Sequence, residues 1–322
     1  MLLSNGTKTC AVALAATAAM LWAGRQAGAQ EIRSKVVTKS RAPANAFEFP
    51  SRWDKASELL SRKVTNNANE HLGKIEDIVI DADSGRILYA VLSFGGFLGL
   101  GDKLFAIPWE SLQLPSGNEA IVLNVDKEQL KNAPGFDKKN WPNFADEQFA
   151  TTTYTYYKVT PFWKGHGETK LVTERGPNDR YAERWNEPAR NVQKTSDLIG
   201  ENVHNRQDEA IGEIKDLSID PENGRILYAI LGYRGKYFSI PWPAVSLSSD
   251  GKYAIVDIAK DRLTDTVSFE PSHWPNYSDE RWATETYNYY HVQPYWTTTE
   301  YKEKVTKDGK VKIKEKKERR GS

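Results

Sequence analysis

Apolar and polar positions alternate in a distinctive way along Lys74–Phe94, "KIEDIVIDADSGRILYAVLSF". The pattern predicts strand, turn, strand. Gly85 supplies the positive φ of the turn. Before the turn, Ile75, Ile78 and Ile80 break strict alternation by one residue, the mark of a β-bulge. After it, period-2 alternation predicts Ile87, Tyr89 and Val91 on one side and Leu88, Ala90 and Leu92 on the other. A strand apolar on both faces has to be covered on both. A barrel interior takes one face, and some other segment must lie on the outside. Further short strands are expected at "KLFAIPW" (103–109) and "EAIVLNV" (119–125), so a small, mainly β barrel is the predicted unit.

The whole pattern occurs twice. "GRILYA" stands at Gly85–Ala90 and again at Gly224–Ala229. At an offset of 139, Ser57–Leu92 and Ser196–Leu231 share 17 identities in 36 positions, among them Asp77/Asp216 and Asp81/Asp220. After a six-residue deletion in the second copy, "FAIPW" meets "FSIPW", and Trp141–Trp163 meets Trp274–Trp296 with 14 identities in 23. Each copy is large enough to be a domain in its own right. The predicted layout is a signal over 1–29, a linker over 30–50, a first module with its aromatic extension over 51–163, and a linker over 164–195. A second module with its extension follows over 196–296, and a basic tail over 297–322.

The extensions hold the densest aromatic residues. Phe149, Thr153 and Tyr157 fall at i, i+4 and i+8, which predicts a short helix starting near Asp146, although "TTTYTYY" favours β by propensity. Two uses are open for these segments. They cap the outer apolar face of the barrel, or they present Tyr154, Tyr157, Trp163, Tyr287, Tyr290 and Trp296 as an aromatic platform for a glycan or a partner protein. A second candidate contact is the glycine-rich loop Gly95–Lys103, whose Phe97, Leu98 and Leu100 are apolar and which the second copy replaces with "GYRGK".

The ends change the picture next. Lys8, a 15-residue apolar run at Cys10–Gly24 and small residues at Ala27–Ala29 read as a cleaved export signal, too short to span a bilayer. Cys10 is the only cysteine and leaves with it, so the mature chain has neither disulfide nor thiolate ligand. The expected location is outside the cytoplasm, and the periplasm if the source is Gram-negative. Residues 301–322 carry a net charge of +6, which leaves −7 on the body between signal and tail. That is the reverse of a nucleic-acid binder, which puts its basic stripe on the folded domain. The tail itself is expected to form a marginal hairpin around Asp308–Gly309 and to make at most weak contact with anionic membrane.

Candidate chemistry is sparse. His71, His166, His204, His273 and His291 have no counterparts in the other copy, so no repeated site uses histidine. "DADSG" (81–85) lacks the position-12 glutamate and following helix of a calcium loop. Asp77, Asp81, Asp216 and Asp220 fit turn closure and backbone bonding better than paired acid–base work. No nucleophile elbow, zinc motif or phosphate loop is present, and no cofactor is expected.

Residues 73–112, "GKIEDIVIDADSGRILYAVLSFGGFLGLGDKLFAIPWESL", and their counterpart "GEIKDLSIDPENGRILYAILGYRGKYFSIPWPAV" resemble the PRC-barrel domain, named for the photosynthetic reaction-centre H subunit. The resemblance spans roughly 57–130 and 196–263. It implies a small β-barrel used for docking and assembly, with no shared catalytic residues to carry over. The expected protein is then a non-catalytic adaptor or scaffold of the bacterial envelope, whose partner is an envelope protein. A cell-wall glycan binder using the paired Trp/Tyr extensions is the alternative.

Overall fold

The computed structural model describes residues 49–95, 103–163, 187–249, 251–263 and 265–296, with the backbone of 298–305 and 311–318. The first repeat begins with β1 (Asp54–Lys55), α1 (Ala56–Leu59), β2 (Lys63–Thr65), β3 (His71–Asp81), β4 (Arg86–Phe94) and β5 (Lys103–Pro108). It continues with β6 (Leu112–Gln113), β7 (Ile121–Leu123), α2 (Lys127–Lys131), β8 (Gly135–Asp137) and α3 (Glu147–Tyr156). The second repeats the order as β9 (Val192–Lys194), α4 (Thr195–Leu198), β10 (Asn202–His204), β11 (Ala210–Asp220), β12 (Arg225–Tyr233) and β13 (Lys236–Pro241). Then come β14 (Val245–Leu247), β15 (Ala254–Val256), α5 (Lys260–Leu263), β16 (Ser268–Phe269) and α6 (Glu280–Tyr289). In the tail, β17 (Thr298–Val305) and β18 (Val311–Glu318) form a two-stranded sheet of their own, and the turn expected at Asp308–Gly309 lies outside the described residues.

The protein is mainly β, with two barrel-like repeats in tandem. In the first, β7 runs parallel to β2, and β2, β3, β4, β5 and β8 follow antiparallel. β6 pairs only with β7, so the ring of strands stays open. The bulge falls where the sequence places it: Glu76 is passed over between the pairs Ile75–Leu92 and Asp77–Val91, and Lys215 likewise in the second repeat.

A second bulge corrects the predicted facing of GRILYA. Leu88 and Leu227 are passed over in the register of β4 and β12. The extra residue resets the phase, so Ile87 joins Ala90 and Leu92 in the inner core, while Leu88, Tyr89 and Val91 face outward.

Close strand approach also explains a recurrent glycine. Gly73 (φ 143°) and Gly212 (φ 145°) sit where a Cβ would collide with the carbonyl oxygens of Ser93 and Gly232. Gly73→Ala is expected to cost about 3 kcal/mol, combining backbone strain with displacement of β4. Urea unfolding would show it as a shifted midpoint at unchanged slope.

The repeats are not separate beads. One core runs through both, joining Ile78, Ala90 and Phe105 to Leu217, Ala229 and Phe238. The opening strand of each repeat leaves its own copy: β1 pairs with β11, and β9, whose residues read as the end of a linker, pairs with β3. GRILYA meets itself across the seam. Ile87 N–H donates to Gly224 O, and Ile226 N–H to Gly85 O, each at 2.8 Å. Trp109 Nε1 donates to Pro221 O (3.1 Å) and Trp242 Nε1 to Ala82 O (3.0 Å). Asp216 accepts from the Ser57 amide (3.1 Å) and hydroxyl, and Asp77 from the Ser196 amide (3.2 Å) and hydroxyl. Each of these contacts has its mirror, so the chain folds as two halves around a pseudo-twofold axis.

Candidate interaction surface

The outward face of each barrel-like sheet is apolar and therefore needs a cover. In the first repeat, Leu88, Tyr89 and Val91 lie under Phe144, Tyr154 and Phe162. In the second, Leu227, Tyr228 and Ile230 lie under Tyr277, Tyr287 and Phe269. The covering helices form where the sequence predicts. Asp146 caps α3 by accepting from Phe149 N–H at 2.7 Å, and Asp279 caps α6 by accepting from Trp282 N–H at 3.2 Å. Burial of one face overrides the β propensity of TTTYTYY. The buried stripe differs from the predicted one: Ala150, Thr153 and Tyr154 point inward, while Phe149 is half-buried and Tyr157 closes the helix C-terminus.

This arrangement places two of the candidate contacts in the interior. Tyr154 is 0% exposed and Tyr287 1%, so neither ring is presented to solvent. Tyr157 and Tyr290 are half-buried against the shared core. Trp163 and Trp296 are half-buried at the margins of the two outer clusters, next to Tyr154 (5.4 Å between ring centres) and Tyr287 (4.9 Å). Phe97, Leu98 and Leu100 lie outside the described residues.

The segments that lead into β1 and β9 complete each cover from the other half. Trp53 stacks on Trp274 at 5.9 Å and 10°, and Phe49 sets its edge to Trp296 at 4.9 Å and 74°. Their places in the first repeat's cover are taken by Val192 and Pro188. Lys55 and Lys194 lie over the equivalent rings of Trp274 and Trp141, at 4.7 and 5.0 Å. Sequence reading missed these residues because Trp53 and Phe49 do not recur and precede the alignable part of the repeat.

The sequence model of the PRC-barrel domain matches residues 54–130 and 191–263. The chain carries two PRC-barrel domains. The matched segments open at β1 and at the residue before β9, so each PRC segment includes the strand that crosses to the other half. No curated protein matches the chain in sequence.

The four recurring aspartates of the two PRC barrels are engaged in structure. Among the described residues, no three His, Cys, Asp or Glu side chains gather as a metal site. His166 lies outside the described residues. Asp81 accepts from the Ser84 hydroxyl, and Asp220 from the amides of Glu222 and Asn223 at 3.1 and 3.0 Å, closing the two turns. Asp77 and Asp216 do more than close turns: they tie the halves together. Burial pushes the Asp216 and Asp220 carboxyls above their ordinary range.

On the axis itself, Arg86 (8% exposed) and Arg225 (1%) stand opposite each other in register. The guanidinium of Arg86 lies 4.1 Å from the Phe162 ring and that of Arg225 3.9 Å from the Tyr295 ring. Burial lowers Arg86 to about 10. Glu110 lies 3.6 Å from Arg86 and has no counterpart, since Pro243 takes its place.

Partial desolvation raises the Glu110 carboxyl above its ordinary 4.5 although 37% of the side chain is exposed, with Arg86 pulling partly back. The raised folded-state value means the fold binds the proton more tightly than the unfolded chain. That contribution is held in acid and lost as pH climbs through the folded-state value. The melting temperature of Glu110→Gln should therefore gain on wild type as pH rises from about 4 to about 7. A constant difference across that range would remove the assignment.

Proposed function

We propose that this protein is a non-catalytic adaptor of the bacterial cell envelope that holds partner proteins on its two PRC barrels. The observation carrying this reading is the reciprocal seam. Exchanged strands, paired tryptophans and a shared core make a rigid body that offers two related outer faces in a fixed orientation. Such a body suits holding partners relative to one another. The carboxylates that recur in both halves are occupied in turns and across the seam, which supports a structural use for them. The signal-like segment over 1–29 supports an envelope location, and the acidic body argues against nucleic acid. The basic tail adds at most a weak attraction to anionic lipid, about 1 kcal/mol per basic residue near the surface.

The glycan alternative needs rings laid open for stacking. Tyr154 and Tyr287 are interior, so the platform it relies on is reduced to half-buried margins. In-cell crosslinking followed by purification of the tagged mature protein tests the choice. One dominant protein partner is the expected result. Recovery of cell-wall fragments without a protein would overturn the adaptor reading.

A further inference from the structure

A polar groove lies at the end of the second PRC barrel away from the seam. β12 leaves the seam at Arg225 and ends at Tyr233, where a two-residue turn leads into β13. The groove beside this turn measures about 510 Å³, in the lower half of the roughly 300–1,000 Å³ of ligand sites. Three elements wall it: the turn with Tyr233 and Arg234, the β10–β11 loop with Glu209, and the start of α5 with Ala259, Lys260 and Asp261.

The cations of the groove are set apart from their neighbours. Arg206 pairs with Asp257 at 2.8 Å, and Lys236 pairs with Glu270. Among the described residues Arg234 and Lys260 make no ion pair, and the Arg234 guanidinium lies 5.0 Å over the Tyr233 ring. Two departures from the first repeat fall at the same place. Arg234 holds a left-handed φ of 50° where the first repeat has Gly95, a conformation that glycine adopts freely and arginine does not. Ala259 replaces Asp126, whose carboxylate caps α2 by accepting from Gln129 N–H at 2.6 Å. The second repeat thus gives up a relaxed turn and a capping side chain, gaining a cation and losing an anion where they meet. The carboxylates on the other walls are held in place. Glu209 accepts from Asn205 Nδ2 at 2.6 Å, and Asp261 from Arg262 N–H at 2.9 Å.

We propose that this groove binds a short zwitterionic peptide, its carboxylate on Arg234 and Lys260 and its ammonium on Glu209 and Asp261. Two cations and two carboxylates complement a ligand that carries both charges. Residues 196–296 hold nine Lys/Arg against sixteen Asp/Glu, so a purely anionic ligand meets net repulsion. A purely cationic one meets Arg234 and Lys260. Tyr233 is half-buried and packs on the shared core rather than on the outer cluster. The site is therefore separate from the outer faces and does not depend on the adaptor reading.

The test titrates trialanine, N-acetyl-trialanine and trialanine amide into the full mature chain, labelled with nitrogen-15, and follows the amide signals of Arg234, Gly235 and Asp261. Trialanine should give saturable shifts, and removing either end charge should weaken binding by about tenfold or more. Arg234→Gly copies the first repeat and relieves the turn. It should hold or raise the melting temperature while weakening trialanine about tenfold, which separates binding from folding. Lys260→Gln and Ala259→Asp should weaken it likewise, whereas Arg281→Gln on α6 should leave it unchanged. Absence of saturable shifts with wild type overturns the proposal. So does equal binding of the amide or the acetylated peptide, or undiminished binding by Arg234→Gly.

Discussion

Trp242→Ala is expected to lower the stability of the whole molecule by about 3–5 kcal/mol, the range for emptying a buried indole site. Trp242 is 1% exposed and sits in the core that both halves share. Its Nε1 donates to Ala82 O in the other half, so the variant also leaves a buried carbonyl without its donor. Because the core is common, unfolding should remain a single transition with a lower midpoint. Separate melting of the second barrel alone would contradict the shared core. Trp109→Ala should behave in the same way, since Trp109 mirrors that bond to Pro221 and packs its Cδ1 2.7 Å from where a Cβ on Gly224 would stand.

Residues 49–163 produced without the second repeat should not form a stable monomer. Cutting the chain there exposes the inner core of one half, unpairs β1 and β3 from their partners, and strips Asp77 of the Ser196 and Thr195 donors. The same surfaces are nearly self-complementary, because GRILYA already meets GRILYA. The expected product is a homodimer in which each β1 crosses to the other copy's β3. Light scattering on the purified half measures this directly. A folded monomer would show that the seam is dispensable.

The duplicated pattern made the unit, its strands and its first bulge readable, because apolar spacing reports burial and burial is what strand faces are selected for. It placed the capped helix as well, from Asp146 and the spacing that follows. It did not reveal the second bulge, since a run apolar on both faces carries no phase signal at Leu88. It could not say that the opening strands cross over. A backbone hydrogen bond is the same whichever copy supplies it, and two like copies offer like edges. Ser57 and Ser196 recur in the alignment, yet nothing in a serine discloses that its acceptor lies 159 or 119 residues away. The candidate surface was legible as aromatic enrichment only. Which rings are interior depended on helix phase, and Phe49 and Pro188 differ just ahead of the repeat.

Any substitution in a symmetric homodimer is written on both subunits at once. Such an assembly cannot close one end with a phenylalanine and leave the other with a proline. Here a single polypeptide joins the halves, so each outer face can diverge without altering its twin. The fused seam keeps the geometry of a pair while leaving each end free to change alone.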